Sequence, residues 1–150
     1  MTDFDAIRTT MPQVVPAVGT LGIEYDALDA TAAVCSLRDD PALHNHVGGL
    51  HAGLIFTLAE TASGALVMAN FEDLLQTGVT PLAASAEIRW SRLAKGRVTA
   101  TAALGRDAGD IRRELQETGK TVQFPVEVVM TTDDGETSRM AISWALRPPR

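Results

Sequence analysis

The chain has a single cysteine, Cys35, among its 150 residues, so it cannot close an internal disulfide. That economy of thiols points to a reducing, cytoplasmic setting. Cys35 sits in the run Ala32-Ala33-Val34-Cys35-Ser36-Leu37, which favours a packed core thiol over a nucleophile. Basic residues are outnumbered: 13 Lys and Arg against 19 Asp and Glu give a net charge of -6. This excludes a general nucleic-acid binder, which needs a basic surface, but leaves room for a local cationic site. The opening Met1-Thr2-Asp3-Phe4-Asp5 is acidic and carries no apolar leader. Long hydrophobic runs are limited to one, Leu54 to Ala69. It falls short of the roughly 20 residues a bilayer span needs, and it holds Glu60, two threonines, a serine and a glycine. The expectation is a buried helix of a soluble protein, with neither membrane nor nucleic acid as partner. Internal repeats and low-complexity segments are absent.

What is present reads as one domain over residues 1–150, with 45% hydrophobic and 21% charged residues. Phe4 to Met11 suggests a short helix. Leu21 to Tyr25 and Thr31 to Leu37 suggest a strand hairpin. A loop then leads into a long helix from about His51 to Phe71, rich in Ala, Leu and Met. Pro81 opens a strand running through Trp90, and Gly96 to Leu104 forms the next. Asp107 to Thr118 is a polar surface helix closed by Gly119. Val122, Phe124, Val126, Val128 and Met130 alternate with mainly polar neighbours. After the Asp134-Gly135 turn, Met140, Ile142, Trp144 and Leu146 alternate in the same way. Both tryptophans, Trp90 and Trp144, read as core. Two strands, a helix apolar nearly all round, then four strands predict an α+β fold: a curved antiparallel sheet wrapped around one long helix.

Glu60 is the only charge in that apolar helical run, and a carboxylate is costly to bury without a purpose. Thr57, Glu60, Thr61 and Gly64 share one helix face, with Ser63 in reach. At the helix start, the amides of Ala52, Gly53 and Leu54 lack intrahelical acceptors and suit a carbonyl oxygen gaining negative charge. Gly53 also permits close approach to the backbone. Gly53 and Glu60 lie seven residues apart, about 10 Å along a helix, too far for one small carbonyl to touch both. Two antiparallel helices related by a dyad would solve this, and predict a homodimer with the site at its interface.

The run Asn45-His46-Val47-Gly48-Gly49-Leu50-His51-Ala52-Gly53-Leu54-Ile55-Phe56-Thr57-Leu58-Ala59-Glu60-Thr61-Ala62 resembles the signature of hotdog-fold acyl-CoA thioesterases, closest to the phenylacetate-degradation type. It matches at Asn45, Gly53 and Glu60, and departs at Ala52, where that family usually has Gly. The acidic residue is Glu rather than Asp, which the wider family also uses. The resemblance implies hydrolysis of an acyl thioester. Glu60 would be general base or nucleophile, Asn45 would position water or the carboxylate, and the Gly53 amide would polarise the carbonyl. His51, Ala52, Thr57, Thr61, Ser63 and Gly64 would line the substrate site. No cofactor is implied beyond the CoA of the substrate, and the assembly would be a homodimer or a dimer of dimers. The helix from Asp107 to Thr118 departs from the common pattern as an insertion.

Arg89, Arg92, Lys95 and Arg97 place four positive charges within nine residues, a landing place for CoA phosphates or an ordinary solvated turn. Bland readings stand beside the sharp ones. Glu60 can serve as a structural carboxylate, Asn45 can hold a turn, and His51 can cap the helix. The histidines His44, His46 and His51 match no metal-binding spacing, and none is expected. Phe56, Leu58, Met68 and Phe71 would shape the acyl pocket. A non-catalytic acyl-thioester binding module, or a dehydratase or hydratase using His46 or His51, are the competing functions.

Overall fold

A computed structural model describes residues 2–150. Helix α1 (Phe4–Val14) starts where the Asp3 carboxylate accepts from the Ala6 amide at 2.9 Å. An extended Val15 breaks it, and α2 (Pro16–Leu21) follows with proline in its first turn. Gly22, with φ of 71°, ends α2 in the left-handed conformation that favours glycine. Leu21 is thus helical rather than the start of a strand, and the first strand, β1 (Glu24–Leu28), begins later than its weak alternation suggests. It forms an antiparallel hairpin with β2 (Ala33–Leu37), as expected.

A short 3-10 turn at Pro41–Leu43 precedes α3 (Ala52–Gln76), the long central helix. The remaining elements are β3 (Thr80–Trp90), β4 (Val98–Leu104), α4 (Ala108–Thr118), β5 (Val122–Thr132) and β6 (Gly135–Arg147). The six strands form one antiparallel sheet in the order β1-β2-β4-β5-β6-β3. Its concave face is laid out by register. Cys35 pairs with Ala100, Ala100 with Met130, Ala102 with Val128, and Val126 with Ile142. These inward residues pack with Leu58, Leu66, Val67 and Phe71 of α3 in one core cluster. Alanines on both partners, Ala59, Ala62 and Ala65 on the helix and Ala33, Ala100 and Ala102 on the sheet, let the two approach closely.

At 25 residues α3 is longer than its apolar run and, by length and composition alone, long enough to cross a membrane. Here the sheet takes up its apolar surface. Phe71 leaves the helical region (φ -124°, ψ 16°), yet the helix resumes and runs five residues past the expected end. Helix α4 braces that kink. It buries Ile111 and Leu115, and the Arg112 guanidinium grips the Asp73 carboxylate at 2.5 and 3.1 Å and the Asn70 carbonyl at 3.0 Å. The same guanidinium lies 5.9 Å from the Phe71 ring centroid.

Strand β3 closes one end of the sheet and pairs only with β6. Nearly all of it is exposed, including Leu82 and, at 48%, Trp90. Trp90 is therefore no core residue, because it lies at the far end of an edge strand left exposed among the described residues. Trp144, on β6, is buried as expected.

Candidate active site

The two ends of the expected site form two separate recesses on this chain, one at the start of α3 and one beside Glu60. The first is a cleft of about 310 Å³ lined by Asn45, Leu50, Ala52, Ile55, Trp90, Ser91, Arg92, Leu93 and Ala94. Its loop is shaped by Asn45, whose Oδ1 accepts from the amides of Val47 and Gly49, both at 3.1 Å. Gly49 is required there, since a Cβ would come within 2.8 Å of the Ala94 carbonyl and 2.6 Å of Leu93. Asn45 therefore holds a turn with its oxygen, while its Nδ2 makes no hydrogen bond among the described residues.

The helix start differs from expectation. His51 is the N-cap, and its Nδ1 accepts from the Gly53 amide at 3.0 Å. The Leu54 amide donates to the His51 carbonyl at 2.9 Å. Of the three amides expected to be free, only that of Ala52 makes no intrachain hydrogen bond among the described residues. The physical reason is that an imidazole two residues before Gly53 can fold back on its amide where a purely apolar residue could not. A Cβ at position 53 would meet the His51 ring at 3.1 Å, so the close approach at Gly53 is made by that ring.

The second recess, about 100 Å³, lies next to Glu60. Glu60, Thr61, Gly64 and Met68 supply its α3 wall, Trp144 of β6 and Tyr25 of β1 two more sides. Met11, Val15 and Val18, from α1, α2 and the break between them, complete it. Burial pushes the Glu60 carboxyl above the ordinary glutamate value. Gly64 opens space against the Trp144 ring, which a Cβ would meet at 3.4 Å.

Not every expected site residue gathers here. The Thr57 hydroxyl donates to the Gly53 carbonyl at 3.0 Å, one turn back along the helix. The fully buried Ser63 is structural: its Oγ donates to the Glu60 carbonyl at 2.7 Å and accepts from the Trp144 indole at 2.9 Å. Leu58 and Phe71 belong to the core under the sheet; of the four expected acyl-pocket residues, Met68 alone lines the Glu60 recess. Nor do the four cations form one cluster. Arg92 borders the helix-start cleft and donates to the Asp134 carbonyl at 2.7 Å, and Arg89 lies near Glu87. Arg97 turns instead to Ser36 and Glu24, because it directly precedes β4, which pairs with β2 and lies well away from the β3 edge in the sheet. Cys35 is buried and its thiol is pushed up to about 12 by burial first and by Asp26 second, an inert core group.

Tyr25, Met11, Val15 and Val18 escaped the sequence reading. The apolar spacing Ile7, Met11, Val15, Val18 recurs at three to four residues, a helix-like period that runs across the break at Val15. Tyr25 is the chain's single tyrosine and lies opposite Cys35 in the β1–β2 register, which turns it inward.

Residues 5–146 match the family described as a domain of unknown function, DUF4442, and the chain belongs to that family. No curated protein matches it. Among solved structures, it is 25% identical to a Pseudomonas aeruginosa protein of unknown function, a probable thioesterase, with a TM-score of 0.82 over 97% of this chain and 95% of that one. A thioesterase family protein from Silicibacter pomeroyi is 18% identical, with a TM-score of 0.76 over 98% and 100%. A thioesterase enzyme of Staphylococcus aureus, solved with one Gln replaced by Ala, is 22% identical, with a TM-score of 0.70 over 89% and 100%. The same protein was also solved with a Glu replaced by Ala. The chain has the hotdog fold, with its sheet wrapped around α3.

Proposed function

We propose that this protein hydrolyses an acyl-CoA thioester, with Glu60 as the group that activates water. The observation that carries this reading is the placing of Glu60: a half-buried carboxyl with a raised pKa, beside a recess on the central helix. A raised pKa makes its carboxylate a stronger base than an ordinary glutamate, which favours proton abstraction from water. Water would attack the thioester carbonyl carbon while Glu60 takes its proton. The tetrahedral intermediate then expels the CoA sulfur, and the proton returns to the leaving thiolate. A direct attack by Glu60, giving an anhydride that water opens, has the same overall balance. The likeness to a probable thioesterase supports the reaction class. The Gln and Glu replaced in the Staphylococcus aureus enzyme are fifteen residues apart, the separation of Asn45 and Glu60 here. That spacing, with Gly53, also supports kinship with the phenylacetate-degradation type.

The carbonyl would be polarised by the amides of Ala52 and Gly53, the latter after the His51 ring swings away. About 10 Å of helix separates Gly53 from Glu60, so a second copy would supply the facing end. The exposed β3 edge, with Ala83, Ala84, Ser85 and Ala86 at its middle, is the surface that would join the two copies. The cleft beside Arg92 and Trp90 would then receive the CoA portion in a cytoplasmic enzyme. Thiol release from a panel of acyl-CoAs tests the proposal. Turnover that vanishes in Glu60→Ala and partly survives in Glu60→Asp supports it. Turnover unchanged in Glu60→Ala rejects the role of Glu60, and tight binding without thiol release identifies a binding module instead.

A further inference from the structure

Tyr25, which lines the recess beside Glu60, carries a buried hydroxyl that the proposed hydrolysis does not use. Tyr25 is 8% exposed, and its Oη has no hydrogen-bond partner among the described residues. A buried polar group without a partner is rare in a folded protein and calls for an explanation. The neighbouring indole is already satisfied, because Trp144 donates to Ser63. Tyr25 is thus a donor left over in a recess where Met11, Val18, Met68 and Trp144 form the apolar walls and Glu60 and Thr61 the polar edge.

We propose that this recess takes the acyl tail of the substrate and selects short acyl groups bearing an acceptor oxygen, such as hydroxy- or oxo-acyl thioesters, through a hydrogen bond from Tyr25 Oη. The inference rests on the hydrolase reading and names the substrate class of that same site. Size argues for a tail rather than one water. A water occupies about 30 Å³ in the liquid, and a cavity of about 150 Å³ accepts benzene. A recess of about 100 Å³ therefore suits roughly four non-hydrogen atoms. Chemistry argues for an oxygen on that tail. A hydrocarbon tail would offer the phenol no acceptor and leave it as unpaired as it is in the substrate-free chain, whereas an oxygenated tail would satisfy it. Burial, with lesser contributions from the charges of Cys35 and Glu60, raises the Tyr25 pKa well above its ordinary value, so the group remains a donor across the working range. The roof over the recess comes from α1 and α2, which limits the length of chain that fits.

The test compares kcat/KM for butyryl-CoA, 3-hydroxybutyryl-CoA, acetoacetyl-CoA and palmitoyl-CoA in the wild type and in Tyr25→Phe. The wild type is expected to favour the two oxygenated substrates over butyryl-CoA by about tenfold or more. Tyr25→Phe should bring that ratio to within about twofold, with the larger loss falling on the oxygenated substrates. An equal loss on every substrate would overturn the proposal, because Tyr25 would then act on the reaction rather than on the tail. A wild-type preference for palmitoyl-CoA would overturn it too. Calorimetric binding of butyryl- and 3-hydroxybutyryl-CoA to Glu60→Gln, with and without Tyr25→Phe, reads the same ratio without turnover. Absence of hydrolysis with an intact binding ratio would reject only the hydrolase reading. A ratio near one in that binding experiment would reject the selection.

Discussion

The indole N–H of Trp144 donates to the Ser63 hydroxyl at 2.9 Å, joining the return strand β6 to the middle of the central helix. The Ser63 hydroxyl in turn donates to the Glu60 backbone carbonyl at 2.7 Å, so one hydroxyl serves both the sheet and the helix turn that carries the carboxylate. Both residues are buried, so neither can fall back on solvent. Ser63→Ala is expected to cost about 1–3 kcal/mol, because it leaves the indole donor unpaired. For a chain of this size that is a fall in Tm of several degrees. Removing both partners in Ser63→Ala/Trp144→Phe should cost less than the sum of the two single changes. Thermal melts of the four proteins measure this, and additive losses would show that the bond contributes nothing of its own.

Glu60 connects activity with stability. Its carboxyl titrates above the ordinary value of 4.5 because burial disfavours the charge. The folded chain therefore holds that proton more tightly than the unfolded chain does. The stability this confers is present in full below the unfolded value and is lost as pH rises through the folded one. Glu60→Gln, which does not titrate, should thus be more stable than the wild type at neutral pH, with the gap closing below about pH 4.5. Its hydrolytic rate should drop by about 10²–10⁴-fold. The wild-type rate should rise with pH through the raised pKa, because only the carboxylate can act as base. Melts at several pH values and a pH–rate profile check the two halves. A Glu60→Gln variant destabilised at neutral pH would indicate that the carboxylate is held by a structural partner.

His51 and Gly53 stand in a different relation. The ring that caps α3 occupies the amide the thioester carbonyl would need. His51→Ala removes the cap, at a cost of about 0.5–2 kcal/mol. It also removes the competitor, so the substrate KM should fall. His51→Asn restores a capping side chain and should recover the lost stability. Steady-state kinetics and melts on both variants separate these effects. A fall in kcat of more than about tenfold in His51→Ala, with KM unchanged, would mean that the imidazole itself takes part in the chemistry.

Much of this architecture could be read from residues alone. Strands β5 and β6 alternate cleanly because one face lies on α3 and the other does not, and Gly119 and the Asp134-Gly135 turn mark their boundaries. The spacing of Asn45, Gly53 and Glu60 was equally plain. Other features depended on tertiary partners that local pattern does not carry. Trp90 alternates like a core residue, but its strand turned out to be the sheet edge. Arg97 is close to Arg92 in sequence, yet its guanidinium reaches Ser36 across the sheet. The Glu60 recess draws on residues near 11, 25, 60 and 144, so no single window displays it. Helix α2 hid because six residues between Pro16 and Gly22 are too few to show a period.

The exposed edge of β3 yields the prediction on which the two-copy site depends. An eleven-residue edge strand with small, uncharged residues at its middle is a ready template for pairing with another chain. Two copies joined antiparallel there would bring equivalent residues near a dyad. A charge added to the middle of the strand would then face its own copy, and like charges across an antiparallel pair repel. Ala84→Glu/Ala86→Glu should therefore convert a dimer of twice 16.0 kDa into a monomer, as sedimentation velocity would record. Both positions are exposed on the single chain, so the fold itself should survive, with an unchanged circular dichroism spectrum. Activity should fall by about 10²-fold or more, the loss expected when a positioned donor is withdrawn. A folded monomer with full activity would place the carbonyl-polarising amides and Glu60 within one chain, and would overturn the shared site.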